Sequence, residues 1–323
     1  METENTEGHD DIKLGISRCL LGDRVRYDGQ HKRDPFLVDT LGLFVSYVPV
    51  CPEVECGLPV PRESMRLMGD PERPLLIAAK TQKDLTDQMI SWCSRRLDEL
   101  ETENLCGFIF RKNSPSSGLY KVKVYNKAGM PGRTGTGIFA RAFTERFPLI
   151  PVEEDGRLND PKLREHFIEQ IFAMKRWREL TTQKKGAGKI VNFHARNKML
   201  ILSHSQDHYR RMGKLVASGK SVSLEELYQT YEQLFTAALK LKTTHKKHIN
   251  VLMHIMGYFK NDLSADEKKE LLEIMDQYRM ELIPLIVPIT LFNHYVRKYD
   301  NTYLKQQTYL NPHPLALKLR NHV

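Results

Sequence analysis

The chain changes character near its midpoint, and that change limits its possible folds more than any other feature. Short apolar or β-branched runs at Ile12–Ser17, Phe44–Val50 and Gly107–Phe110, with weaker ones at Leu75–Ala79 and Val122–Tyr125, all lie in the first half. Between them, Leu85–Leu100 has helical spacing through Leu85, Met89, Trp92 and Leu97. Strands alternating with helices predict a mostly parallel sheet covered by helices, an α/β domain of Rossmann-like build. The second half reads as helix throughout, with long segments at Lys162–Leu180, Lys189–Val216, Leu224–Phe259 and Ala265–Tyr299. Ser223 and Ser264 suit N-caps before acidic first turns, and Pro284 and Pro288 should kink or break the last helix. This half predicts an all-α domain. The boundary falls in the polar stretch Glu153–Asp160, before Pro161, a residue suited to a first helical turn. The expected organisation is a disordered acidic stretch over 1–10, an α/β domain over 11–155 and a helical domain over 156–323.

Charge divides at the same place. Residues 1–160 hold 22 Lys/Arg against 25 Asp/Glu, and residues 161–323 hold 27 against 15, so net −3 is followed by net +12. All five cysteines (Cys19, Cys51, Cys56, Cys93, Cys106) lie in the first half and ten of the twelve histidines in the second. No apolar run approaches the roughly 20 residues needed to cross a bilayer. The acidic, polar first ten residues are the reverse of an export signal. A cytoplasmic chain with reduced cysteines is expected, with no membrane partner and no obligate protein partner.

In an open parallel sheet, ligands bind beyond the carboxyl ends of the strands. That rule selects three loops. Arg18-Cys19-Leu20-Leu21-Gly22 follows the first strand and runs on to Tyr27-Asp28-Gly29, Cys51-Pro52-Glu53 follows the second, and Ser114-Pro115-Ser116-Ser117-Gly118 follows the third. Thiolates from separate loops can hold an iron–sulfur cluster. Cys93 and Cys106 fit core faces instead, and Cys56 either lines the pocket or packs beneath it.

These motifs carry a resemblance. Ile16-Ser17-Arg18-Cys19-Leu20-Leu21-Gly22, then Cys51-Pro52-Glu53, then Ser114-Pro115-Ser116-Ser117-Gly118 resemble the thiouracil desulfidase (TudS) family. Asn192-Phe193-His194, Leu202-Ser203-His204-Ser205, Gly257-Tyr258-Phe259-Lys260 and Tyr309-Leu310-Asn311-Pro312-His313-Pro314 are similar to the YbgA-type domain. Together they resemble the RNA desulfidase (RudS) fusion over nearly the whole chain. The resemblance implies oxygen-independent removal of sulfur from thiolated uracil by a 4Fe-4S cluster held on three cysteines. In the fused form the implied substrate is thiolated uridine in tRNA, 4-thiouridine converted to uridine. It implies Cys19 and Cys51 as cluster ligands, Glu53 as the acid/base residue and Ser114 as a pocket residue near the reacting carbon. One departure matters: the family's third ligand belongs to a Ser-Pro-Ser-Cys-Gly loop, and that position here is Ser117. A serine alkoxide is harder than a thiolate and costlier to form, so the cluster should be held poorly and activity should be low. The serine is either a replacement that traps an inactive form or a natural loss of the chemistry.

Desulfuration replaces C=S by C=O. Soft sulfur suits iron, and the attacking water needs a carboxylate to take its proton, help typically worth about 10²–10⁴-fold. Glu53, two residues from Cys51, suits that role. Tyr27 and Asp28 would orient it, although Asp28-Gly29 is also an ordinary turn signal. Arg62 and Arg66 follow Pro61 on an expected helical turn and would meet phosphate or solvent, and Ser116 completes the expected pocket. The run Gly129–Gly137 lacks the Gly-x-Gly-x-x-Gly order and reads as a flexible loop closing over substrate rather than a dinucleotide site.

Between residues 171 and 220 there are twelve Lys/Arg and two acids. Lys175, Arg176, Arg178, Lys184, Lys185, Lys189, Arg210, Arg211 and Lys214, followed by Lys240, Lys242, Lys246 and Lys247, read as a footprint for a phosphate backbone, with solvated helix faces as the alternative. Trp177, Phe193 and Tyr209 would stack a displaced base or fill the core. A base inside folded tRNA must be extruded before it can react. His204 and His208, with His194 one stretch earlier, suggest a helix-boundary network or an RNA contact ahead of zinc.

Overall fold

The computed structural model describes residues 12–126, 128–219 and 222–322; the expected disordered stretch over 1–10 lies outside them. The chain divides into two compact units between Leu163 and Arg164.

The first unit is built on a four-stranded sheet in which every pair is parallel. Its strands are β1 (Lys13–Ser17), β2 (Ser46–Val50), β5 (Gly107–Phe110) and β8 (Val152–Glu154), in the order β2-β1-β5-β8. The chain leaves β1 for β2 on one side and returns to β5 on the other. This switch opens a crevice beyond the strand ends. Strand β5 is buried along its whole length, as a central strand covered on both faces must be. Gly15 of β1 makes room for it, because a Cβ there would lie 2.1 Å from the Phe108 ring. Helices α2 (Thr86–Thr102) and α3 (Ile138–Arg146) pack Met89, Trp92, Phe139 and Phe143 onto this sheet. Phe108 meets Phe110 at 4.3 Å and Phe143 at 4.7 Å between ring centroids.

A second, mixed sheet was not expected. It has the order β4-β3-β6-β7, from β3 (Met65–Asp70), β4 (Arg73–Ala78), β6 (Val122–Tyr125) and β7 (Pro131–Gly135). The two weaker strand candidates, at 75–79 and 122–125, fall here and not in the parallel sheet. Two expectations change with it. The stretch carrying Arg66 is strand and not a helical turn, and most of the glycine run is β7, paired antiparallel to β6, and not a free loop.

The second unit is helical, as expected. Most of α4 (Pro161–Thr181) belongs to it, and Asp160 Oδ1 caps that helix by accepting from the amides of Lys162 and Leu163 at 2.8 and 3.2 Å. Each of the longer predicted segments divides in two. Ser205, extended in backbone, separates α5 (Ala187–His204) from α6 (Gln206–Ala217) and caps the latter. Thr244 likewise starts α8 (His245–Gly257) after α7 (Leu224–Lys240). Ser264 forms a full capping box with Glu267 at the head of α9 (Ala265–Arg279). Pro284 lies in the break before α10 (Ile286–Lys298), whereas Pro288 sits in its first turn, where no amide partner is lost. The short α11 (Thr302–Lys305) precedes an irregular C-terminal segment. Trp177, stacked on Tyr231 at 5.3 Å, centres the core with Phe193 and Phe235. Among the described residues, no helix is long and apolar enough to cross a membrane.

Candidate active site

Three loops leave the carboxyl ends of β1, β2 and β5 and enclose a cavity of about 330 Å³. Cys19 comes from a 3₁₀ turn (Arg18–Leu21) directly after β1. Cys51 directly follows β2 and heads the four-residue α1 (Pro52–Glu55), which carries Glu53; the Glu55 side chain reaches back to accept from the Cys51 amide at 2.7 Å. Ser114 and Ser117 come from the loop after β5. All five line the same cavity, together with Tyr27 and Arg62. Cys19, Cys51 and Ser117 are only 8%, 5% and 3% exposed.

Glu53 is the hub. Its Oε1 accepts from Ser116 Oγ at 2.5 Å and from Ser114 Oγ at 3.4 Å. Its Oε2 faces Cys51 Sγ at 3.5 Å, where the thiol donates, and Arg62 Nη2 at 3.8 Å. The serine loop is wound tightly: Ser114 Oγ accepts from the amides of Ser116 and Ser117 at 3.3 and 3.1 Å, and Gly118 N donates to Ser114 O at 2.8 Å. A Cβ at Gly118 would lie 2.7 Å from Ser114 O, and one at Gly137 would lie 2.6 Å from the Ser116 carbonyl. Behind the loop, buried Glu154 accepts from the amides of Leu119 and Tyr120 at 2.8 and 3.0 Å.

Burial is the main force on both thiols. It pushes Cys19 up to about 11 and Cys51 up to about 12, and the Glu53 carboxylate adds to both. Arg111 and Arg26 oppose this at Cys19, and Arg62 opposes it at Cys51. As donors, these residues are two soft thiols and one hydroxyl in a cavity walled by Arg18, Arg26, Arg62 and Arg111. The guanidinium wall suits thiolate ligands and an anionic cluster, so the set fits iron–sulfur binding with a hard donor at the third position. Among the described residues, no group of three or more His, Cys, Asp or Glu gathers as a metal site; beside the two thiols of the cavity, Ser117 offers only a hydroxyl.

Among the other expected site residues, some lie outside the cavity and some take a different role in it. Asp28 does not line the cavity; its carboxylate pairs with Arg26 at 3.2 Å and accepts from Gln30 N, as a turn residue does. Ser116 is buried behind Glu53 and not in the cavity wall. Arg62 turns inward, donating to the carbonyls of Val25 and Pro59 at 3.1 and 3.3 Å. Arg66 lies over the Tyr125 ring. Cys56 packs against the core and donates to Glu53 O at 3.2 Å, which favours the reading beneath the pocket. Arg111 was missed. It follows β5 directly, pairs with Asp155 and lines the cavity, and its position just past a strand end was a signal available in the sequence.

The basic residues of the helical unit divide into two kinds. Lys184, Lys189, Arg210, Arg211, Lys214, Lys240, Lys242 and Lys246 are exposed. Arg176 is not available to phosphate: its guanidinium is buried, donates to Pro312 O at 2.8 Å and is pushed down to about 10 by that burial. Lys247 is a helix staple, its Nζ donating to the carbonyls of His204 and Lys242 at 2.7 and 2.6 Å. Lys175 pairs with Glu179, Lys185 pairs with Glu225, and Arg178 is partly buried. Trp177 and Phe193 belong to the core, while Tyr209 is half-buried. His204 is fully buried with one ring nitrogen on Leu241 O and the other on Glu169, His194 meets Tyr231 OH, and His208 meets Ser205 Oγ. These bonds make helix-boundary and core contacts and leave no shared zinc geometry.

Comparison with known proteins gives three results. Residues 14–155 match the model of the 2-thiouracil desulfurase family, and residues 198–314 match that of a protein of unknown function (DUF1722). The uncharacterized protein YbgA of Escherichia coli (strain K12) is 31% identical over 153 residues, covering 47% of this chain and 90% of that protein. The solved structure of a 4Fe-4S-dependent thiouracil desulfidase, TudS, is 27% identical and covers 46% of this chain and 93% of that chain, with a TM-score of 0.39.

Proposed function

Because the chain belongs to the TudS/YbgA-type fusion family, with a 2-thiouracil desulfurase module first, we propose that it is an iron–sulfur desulfidase for thiolated uridine in tRNA, 4-thiouridine above all, weakened by Ser117. The single observation that carries the reading is the shared cavity of Cys19, Cys51 and Glu53. Cys19 and Cys51 would hold the 4Fe-4S cluster, with Ser117 at the third and weakest position. When bound, such a cluster supplies a Lewis-acidic iron with affinity for soft sulfur.

The chain's own residues do the rest. Ser116 and Ser114 fix Glu53 through Oε1, which leaves Oε2 on the side of Cys51. Oε2 takes a proton from the attacking water as C=S becomes C=O, and the sulfur leaves as sulfide. Arg62 holds Oε2 in place. Cys19 and Cys51 each lose a proton when they ligate, and the arginine wall lowers the cost. The exposed lysines and arginines of the helical unit supply affinity for the tRNA backbone.

Anaerobic reconstitution with iron and sulfide tests this, read by iron–thiolate absorbance and by sulfide released from thiolated tRNA. We expect little cluster in the chain as it stands, and cluster with turnover after Ser117→Cys. A Ser117→Cys protein that binds iron normally yet never desulfurates favours the second reading, a non-catalytic RNA-binding protein, which the buried Ser117 hydroxyl supports. Faster turnover on free thiouracil than on tRNA would instead make the free base the substrate.

A further inference from the structure

The helical unit contains a groove of about 610 Å³ between α10 and the C-terminal segment 310–321. Its size is that of a small-molecule site. Part of its wall is apolar, from Ile289, Val296, Leu310 and Leu319, and no carboxylate side chain among the described residues lines it.

Four cations reach this wall, and two of them are already neutralised. Arg320 is buried against Glu165, Glu169 and the Tyr309 carbonyl, and Lys305 is paired with Asp300. Arg297 and Lys318 are exposed, and neither has a carboxylate partner among the described residues. Lys318 has φ 51° and ψ 36°, a left-handed conformation at a position where glycine or asparagine is usual. A side chain is disfavoured there, so this lysine is held at the rim against its backbone preference.

The groove also presents a paired set of amides. Asn293 Nδ2 donates to Asn311 Oδ1 at 3.2 Å, and Asn311 Nδ2 returns a bond at 3.5 Å. Each carboxamide, after this exchange, retains one N–H and spare acceptor capacity. Beside them, His313 Nε2 is buried with no hydrogen-bond partner among the described residues.

We infer that this groove binds one nucleotide unit of an RNA chain, with its phosphate on Arg297 and Lys318 and its base on the apolar wall beside the Asn293–Asn311 pair. Two cations with no carboxylate partner among the described residues select an anion. An amide pair next to an apolar surface selects a flat group with polar edges. The inference rests on the RNA half of the reading above and adds where a nucleotide is held.

Equilibrium dialysis of the intact chain with UMP, AMP, ribose 5-phosphate and inorganic phosphate tests the groove, alongside filter binding of tRNA across a salt series. UMP or AMP should bind at least ~10-fold more tightly than ribose 5-phosphate, and Asn293→Ala should shrink that difference. The Arg297→Glu, Lys318→Glu pair should weaken nucleotide and tRNA binding ~10-fold and reduce the salt slope by about 1. Lys318→Gly removes the cation while relieving the backbone, so it should lose nucleotide affinity at an unchanged or higher melting temperature. Nucleotides that bind no better than inorganic phosphate overturn the inference, as does Lys318→Gly with full nucleotide affinity. Undiminished tRNA binding by the doubly reversed protein overturns the groove alone. No tRNA binding by the intact chain overturns the RNA reading and the groove together.

Discussion

The hydroxyl of Ser116 donates to Glu53 Oε1 at 2.5 Å and so ties the loop after β5 to the loop after β2. With Ser114 on the same oxygen, one edge of the carboxylate is held and the other faces the cavity. Ser116 is therefore a positioning residue for Glu53. A hydrogen bond to a charged group is worth about 1.5–3 kcal/mol. In a Ser117→Cys background, Ser116→Ala should lower sulfide release by ~10–100-fold, with the iron content unchanged. Equal loss of iron and turnover would show that Ser116 merely holds the loop together.

Gly137 lies under that loop, and a Cβ there would lie 2.6 Å from the carbonyl carbon and oxygen of Ser116. Gly137→Ala should push the serine loop off Glu53 and destabilise the first unit by roughly 1–3 kcal/mol, the usual range for overpacking. Calorimetry would read this as a lower first transition. Gly132→Ala, with no neighbour within 4 Å of the added carbon, should change nothing and serves as the control.

Acid should act on the helical unit through three neutral histidines, His194 and His248 buried and His166 half-buried. Burial is the main cause in each, pushing His166 and His194 down to about 4 and His248 to about 3. In the unfolded chain they titrate near about 6.5, so the unfolded state takes up protons first as pH falls. Their contribution is fully present above that value and is lost progressively toward pH 4 and below. With all three engaged, the slope approaches ~4 kcal/mol per pH unit. Urea midpoints at pH 7 and pH 5 check this, and equal midpoints would defeat it.

Reversing charge at Arg210, Arg211 and Lys214 should weaken tRNA binding and flatten its salt dependence, because all three are exposed. Arg176→Gln should instead lower stability and leave the salt slope alone, since its guanidinium is buried on Pro312. Lys247→Met should behave like Arg176→Gln, because it removes the staple on His204 O and Lys242 O. If Arg176→Gln and the surface reversal gave the same salt slope, the division between buried and exposed cations would be wrong.

Three strands of the parallel sheet, β1, β2 and β5, were legible because they are short apolar runs followed by turn residues, and the site loops follow directly from that order; β8 was not, because Val152-Glu153-Glu154 reads as part of the polar boundary and is fixed by pairing with β5. The mixed sheet was not. β3 and β7 contain Arg66, Met68, Gly69, Gly132, Arg133 and Thr134, with neither strict alternation nor an apolar run, and they are fixed by pairing with β4 and β6. Helix lengths were overestimated for a similar reason. Ser205 and Thr244 are single polar residues inside periodic segments, and their capping role appears only when their side chains accept an amide one turn ahead. At the site, the cysteines and Glu53 were visible from their place after strands. The carbonyl contacts of Arg62 and the pairing of Asp28 with Arg26 depend on tertiary folding that local sequence does not encode.

The two thiols and the serine leave rails that are laterally bonded, since β2 pairs with β1 and β1 with β5. Neighbouring rails stand about 4.8 Å apart, a separation set by main chain and indifferent to which side chains ride at the ends. A change of side chain at residue 117 leaves that ruler intact, so the Ser117→Cys protein proposed above tests the donor alone and not the frame that carries it.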